Sequence, residues 1–144
     1  MIQIRAMEIA DVAEVAQIEK ESFSQPWSEQ DFEEMLAADY AYYYVAEENG
    51  IVIGCCGVRD IAGEGEITNV EVAPLYRRQR VGRKLLEFTL QEATKLGIKE
   101  CTLEVRVSNQ PAIRLYESLG FHGEGIRPDF YEQPKEDALI MWKR

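Results

Sequence analysis

Five cations fall within eight positions of this acidic chain: Arg77, Arg78, Arg80, Arg83 and Lys84. They lie in or beside the run Val72-Ala73-Pro74-Leu75-Tyr76-Arg77-Arg78-Gln79-Arg80-Val81-Gly82-Arg83, between a strand-like and a helical segment. A strand, a basic turn and a helix N-terminus bring free backbone N–H groups, a helix dipole and arginine forks to one point, which suits a pyrophosphate. Taken alone, the cluster also fits a solvated basic helix start. Two side chains further along could move protons. In Cys101-Thr102-Leu103-Glu104-Val105-Arg106-Val107, alternation puts Thr102, Glu104 and Arg106 on one face and the apolar residues on the other. Glu104 is then an exposed glutamate on a half-wet strand, or a base. Tyr116 stands among Ala112, Ile113, Leu115 and Leu119, the pattern of a core aromatic with its hydroxyl at the rim. A phenol of reference pKa about 10 carries its proton at neutral pH and can donate it.

Other chemistries lack their residues. No G-x-x-x-x-G-K-[ST] loop is present and no G-x-G-x-x-G opens the first helix, which argues against nucleoside triphosphates and dinucleotides. The cysteines Cys55, Cys56 and Cys101 form no C-x-x-C pair, so reduced thiols are expected rather than a disulfide framework. With a single histidine, His122, and no His/Cys cluster, no metal site is expected. His122 reads as a structural strand residue. No apolar run approaches the roughly 20 residues that span a bilayer. Met1-Ile2-Gln3-Ile4-Arg5 lacks the features of a signal peptide, so a cytoplasmic location, away from membranes, is expected.

The net charge of −10 is unevenly spread. Residues 1–60 hold 13 acidic and 3 basic side chains, and residues 61–144 hold 13 of each. An acidic first part favours cationic partners over nucleic acid, or serves solubility.

The elements that must position these groups can be read from periodicity. Ile2–Arg5 alternates like a strand, and Glu8–Phe23 has helical spacing through Ile9, Val12, Val15, Ala16 and Ile18. Ser28 and Asp31 form a capping box for a second helix, Glu29–Ala38. Tyr42–Ala46 and Ile51–Val58 flank Asn49-Gly50, a hairpin turn. A glycine-rich loop (Gly63, Gly65) precedes the strand Glu66–Val72. The helix after the basic turn ends near Leu96 at Gly97; then come a strand Glu100–Val107, a helix near Pro111–Leu119 closed by Gly120, and two last strands. The order βααβββαβαββ predicts an α/β (α+β) domain over 1–144: a mixed six- to seven-stranded sheet with about four helices on both faces.

The basic turn, with Ser108-Asn109-Gln110-Pro111-Ala112-Ile113-Arg114-Leu115-Tyr116-Glu117-Ser118-Leu119-Gly120-Phe121 downstream, resembles the acetyl-CoA-binding core of the GNAT superfamily of N-acetyltransferases. In that family a Q/R-x-x-G-x-G/A turn wraps the pyrophosphate. The matching residues are Arg77-Arg78-Gln79-Arg80-Val81-Gly82, with Arg80 where the family usually has its first glycine. Any positive φ there would be costly. Phe23-Ser24-Gln25-Pro26-Trp27-Ser28, Leu103-Glu104-Val105-Arg106 and Asp129-Phe130-Tyr131 narrow the resemblance to the RimI-like group, which acetylates the N-terminal alanine of small-subunit ribosomal protein S18.

The resemblance implies roles. Glu104 would be the proton acceptor for the α-amine, Tyr116 the acid for the CoA thiolate, and Arg77 to Arg83 the pyrophosphate cradle. Asn109 would bond the cofactor, cap its helix, or both. The strand Val70-Glu71-Val72 would part from its neighbour and offer an oxyanion N–H near Val72. Trp27 and Tyr131 would flank the peptide, although Trp27 could equally staple the first two helices. The implied partners are acetyl-CoA and the basic N-terminus of a ribosomal protein, with a monomer expected. Two other readings stay open: a GNAT acting on a small cationic amine (a polyamine or an aminoglycoside), and a CoA-binding subunit without turnover.

Overall fold

Near the end of strand β1 (Ile2–Ala6), Arg5 donates to both carboxylate oxygens of Asp11, at 2.8 and 2.9 Å, and so shapes the turn after the strand. The guanidinium holds the Asp11 carboxyl below its ordinary pKa. Asp11 also accepts from the Glu8 N–H at 2.7 Å. That tight turn makes Ile9–Asp11 a 3-10 segment, so the single helix expected over Glu8–Phe23 starts as α1 only at Val12 (Val12–Ser22). The Ser28–Asp31 capping box closes in both directions, at 2.8 and 3.1 Å, and opens α2 (Glu29–Ala37). This computed structural model describes residues 1–77 and 79–144.

Strands β2 (Ala41–Glu48) and β3 (Ile51–Ile61) are joined by Asn49 and Gly50 at φ 53° and 79°, the left-handed pair that a two-residue hairpin needs. A second such pair, Ala62 and Gly63, joins β3 to β4 (Glu64–Val72). The expected glycine-rich loop is therefore a tight turn, and Gly65 lies inside β4. Helix α3 (Val81–Lys95) stops before Gly97 at φ 85°, and β5 (Glu100–Arg106) comes next. Asn109 caps α4 (Gln110–Ser118), and the long hairpin of β6 (His122–Glu132) and β7 (Lys135–Lys143) completes the chain.

The seven strands form one sheet in the order β1-β2-β3-β4-β5-β7-β6, antiparallel except for β4 with β5. Adjacent residues face opposite layers. Val45 and Cys55 pack with Val15 of α1 and Phe32 of α2; Ala46 and Cys56 pack with Leu85 and Leu86 of α3 and Ile113 of α4. Each such fully buried large apolar side chain contributes about 1.5–3 kcal/mol. The three cysteines are buried free thiols.

The register between β3 and β4 steps by one, from Gly57 opposite Asn69 to Val58 opposite Ile67, leaving Thr68 as a bulge. The parallel pairing of β4 with β5 runs from Glu64 and Glu100 to Glu66 and Thr102. Beyond it, just where the bulge bends β4, the strands part: among the described residues Ile67–Val72 has no ladder with Leu103–Arg106.

Candidate active site

The gap between β4 and β5 presents backbone donors. N–H groups alternate sides along a strand, and Ala73 donates across to Ile53 of β3 at 2.8 Å. Val72, opposite Gly54 in that ladder, therefore turns its N–H and C=O away from β3, toward the gap, and Val70 does the same. Glu71 is the exception among the three expected cofactor contacts. Its N–H faces β3, and its side chain is buried on the α1 side against Glu19, away from the gap. A cofactor contact by Glu71 is withdrawn for that reason.

At the end of β4 the gap meets a groove of about 460 Å³ between the α3 and α4 N-termini, lined by Val72, Tyr76, Arg77, Arg80, Val81, Gly82, Arg83, Pro111, Ala112 and Leu115. Among the described residues the first helical bond of α3 is Lys84 N–H to Arg80 O at 3.0 Å, and the N–H groups of Val81, Gly82 and Arg83 at the helix start have no partner there, the arrangement that suits an anion. Arg80 stands at φ 63°, ψ 21°, so the arginine does take the left-handed conformation natural to glycine. A Cβ on Gly82 would meet only Val72 Cγ2, at 3.6 Å. The fold itself has room for a side chain there.

The arginines differ in their commitments. Arg77 donates from Nε to the Val72 carbonyl at 3.1 Å and from Nη2 to Ser22 Oγ at 3.3 Å, tying the end of β4 to α1. Arg83 bonds Ser118 Oγ at 2.8 Å and so bridges α3 to α4. Gln79 is exposed and lines no part of the groove, and Arg78 lies outside the described residues. Asn109 Oδ1 accepts from the Ala112 N–H at 3.3 Å, which makes it a helix cap. Its Nδ2 has no partner among the described residues, so capping leaves it free to donate.

Around the gap the expected alternation along β5 holds, with Thr102, Glu104 and Arg106 half-buried between buried neighbours. Arg127 of β6 reaches across β7 and donates from Nε to Glu104 Oε2 at 2.5 Å. Tyr131 lies under Arg106, whose guanidinium carbon is 4.3 Å from the ring centroid. Burial, and then the Glu104 charge, raise the Tyr131 phenol above its ordinary pKa. Burial foremost, with Cys56 and Tyr131 adding to it, pushes Tyr116 up as well. Tyr131 thus stands within electrostatic reach of both Glu104 and Tyr116. The Tyr116 ring packs against Phe121, 6.1 Å between centroids, and its hydroxyl has no partner among the described residues.

The Trp27 ring packs on α2 and β2, 5.3 Å from Phe32 and 6.2 Å from Tyr43. Sequence reasoning overlooked Arg127, Asn69 and Glu19. For Glu19 a signal existed, because it lies four residues after Val15 and three after Ala16, on the apolar stripe of α1.

Residues 12–121 match the Acetyltransferase (GNAT) family. A protein of Bacillus subtilis (strain 168) is 39% identical over 140 residues, covering 96% of this chain and 93% of its own. A relative from Escherichia coli (strain K12), named ribosomal protein bS18-alanine N-acetyltransferase, is 36% identical over 143 residues, covering 98% and 96%. The crystal structure of the ribosomal-protein-S18-alanine N-acetyltransferase from Escherichia coli matches with a TM-score of 0.92 at 35% identity, over 99% of this chain and 93% of that one. The family model spans most of the chain and the relatives agree with it along nearly its full length: the chain belongs to the Acetyltransferase (GNAT) family.

Proposed function

We propose that residues 1–144 form a single acetyltransferase domain that moves the acetyl group of acetyl-CoA to the N-terminal alanine amine of ribosomal protein bS18. The observation that carries this reading is the parting of β4 from β5, because the arginine groove includes Val72 of the parted stretch of β4 and Glu104 lies on the parted stretch of β5. The bS18-alanine acetyltransferases, similar over nearly the whole chain, support the substrate. The acidic residues 1–60 suit a basic protein N-terminus.

The groove's donor set fits a pyrophosphate: Arg77, Arg80 and Arg83 supply positive charge, and Val81, Gly82 and Arg83 supply helix-start N–H groups without a partner among the described residues. Asn109 Nδ2 adds a donor at the α4 N-terminus. When bound there, acetyl-CoA supplies the activated acyl carbon. The Val72 N–H is aimed to stabilise negative charge developing on the thioester oxygen; preorganised donors of this kind contribute about 2.7–4 kcal/mol. An α-ammonium of pKa about 7.7–8.0 must lose a proton before its nitrogen can attack, and Glu104 accepts it. As the new C–N bond forms and the C–S bond breaks, Tyr116 gives its phenolic proton to the leaving sulfur, and the second proton shed by the attacking nitrogen restores the phenol, directly or through solvent. Tyr131 and the loop from Phe23 to Ser28 flank the peptide.

The test is incubation with acetyl-CoA and a panel of acceptors, read by mass shift and thiol release. A peptide beginning Ala-Arg with a free amine should gain one acetyl group, and its N-blocked twin none. Faster acetylation of a polyamine or an aminoglycoside would replace this reading with the small-amine one. Acetyl-CoA binding without thiol release on any acceptor would leave a non-catalytic subunit.

A further inference from the structure

Beneath the loop between α1 and α2 lies a buried polar cluster that the acetyl-transfer chemistry leaves unused. Glu19 of α1 is 3% exposed, and Asn69 (4%) and Glu71 (3%) lie against it from β4. Asn69 Nδ2 donates to the two Glu19 oxygens at 3.3 and 3.5 Å, while Asn69 Oδ1 accepts from the Tyr43 hydroxyl at 3.1 Å. The Trp27 N–H donates to Glu19 Oε1 at 3.3 Å. Glu19 therefore accepts from the loop backbone and from β4 at once.

Glu71 is the opposite case. Both of its oxygens are fully buried, and among the described residues neither has a donor. A carboxylate left in that state is among the costliest groups a protein interior can hold. Its neighbour is Glu19, itself a carboxylate. Two acids side by side are accommodated when one keeps its proton and donates it to the other. Burial first, and then Glu19, hold the proton on Glu71.

Glu19 in turn brackets the loop. Its main-chain carbonyl accepts from the Phe23 N–H at 3.0 Å, and its side chain accepts from the Trp27 N–H four residues later. We propose that Glu71 and Glu19 form a positioning pair in which protonated Glu71 donates to Glu19, locking the loop from Phe23 to Ser28 onto the parted end of β4. Asn69 supplies the second anchor. The peptide-side loop and the Val70–Val72 segment are thereby held as one unit, and the pair rests on the proposed function only in taking that loop as a wall of the acceptor site.

The experiment compares Glu71→Gln, whose amide N–H can donate to Glu19 as the acid O–H does, with Glu71→Leu, which cannot. For the Ala-Arg peptide, Glu71→Leu should raise KM at least tenfold while KM for acetyl-CoA stays within twofold. Glu71→Gln should stay within twofold of wild type on both. A second readout needs no turnover: in a Trp142→Phe background, acrylamide quenching of the remaining Trp27 should rise at least twofold for Glu71→Leu and hold for Glu71→Gln. Equal behaviour of the two variants, in KM and in quenching, overturns the proposal. If wild type acetylates no acceptor, the proposed function fails, and quenching alone decides whether the pair holds the loop.

Discussion

Arg127 Nε lies 2.5 Å from Glu104 Oε2, so the carboxylate proposed as the base already holds a cation from a strand two places away in the sheet. If Glu104 is the base, an incoming α-ammonium must compete with Arg127 for that carboxylate. The Arg127 side chain is 55% exposed, and such screened pairs are worth about 0.2–1 kcal/mol. Arg127→Gln should therefore lower the peptide KM by no more than about fivefold, with KM for acetyl-CoA unchanged. The gain should shrink as salt rises. A raised peptide KM would mean that Arg127 orients Glu104 instead of competing for it.

Tyr116→Phe should lower kcat at least about tenfold with little change in acetyl-CoA affinity, since one proton donor commonly supplies about 10²–10⁴-fold. Because burial raises the phenol above its ordinary pKa, Tyr116 stays protonated through the working range. The wild-type rate should therefore climb with pH as the acceptor amine deprotonates, with no fall from Tyr116 up to about pH 9. Glu104→Gln should move that rise to higher pH. Stopped assays from about pH 6 to 9 on the three proteins decide it, and an unchanged profile in Glu104→Gln would make Glu104 structural.

Gly82→Ala separates fold from ligand. The added methyl meets only Val72 Cγ2 at an ordinary distance, and alanine is the better helix former by about 1 kcal/mol, so Tm should hold or rise. KM for acetyl-CoA should rise at least fivefold, because the methyl stands among the helix-start N–H groups of the groove. Normal acetyl-CoA affinity in a folded Gly82→Ala protein would move the cradle elsewhere.

Arg80 offers a paired comparison. A non-glycine residue at φ 63° stores strain of order 1–3 kcal/mol. Arg80→Ala keeps most of that strain and loses the charge; Arg80→Gly loses both. Both should raise KM for acetyl-CoA by a similar factor, while only Arg80→Gly should keep or raise Tm. Equal KM values for wild type and both variants would show that the arginine's charge does not reach the cofactor.

The sequence was informative where one residue type answers to one local rule. Ser28 with Asp31, Asn49-Gly50 and Gly97 each act within a few residues, and each stands where its pattern puts it. Glu104 and Tyr116 needed the resemblance, because period-two alternation and helical spacing are satisfied equally by bystanders. Arg127 was hidden by geometry: β6 shifts register between Gly123 and Gly125 and again between Arg127 and Tyr131, which breaks the alternation that assigns a face. The parting of β4 from β5 begins at the Thr68 bulge, one extra residue that no composition signal marks. Glu71 was misassigned because its neighbours Val70 and Val72 face the gap, and only the β3 ladder tells which parity is which.

The buried Glu71 proton also leaves a mark on stability. An unfolded glutamate releases its proton near about pH 4.3. Folded Glu71 keeps its proton well above that, through burial and the Glu19 charge. Between those limits the native state binds the extra proton, so stability falls as pH rises, by up to about 1.4 kcal/mol per pH unit. The stabilisation is complete below the unfolded pKa and is lost on the way up to the folded one. Asp11, held down by Arg5, acts with the opposite sign, losing its contribution as pH falls, so its effect is confined to the acid side. Glutamine at 71 has no proton to hold. The Tm advantage of Glu71→Gln over wild type should accordingly widen from about pH 5 to about pH 8. Parallel melting curves across that window would mean that Glu71 ionises in the folded state much as it does in the unfolded chain.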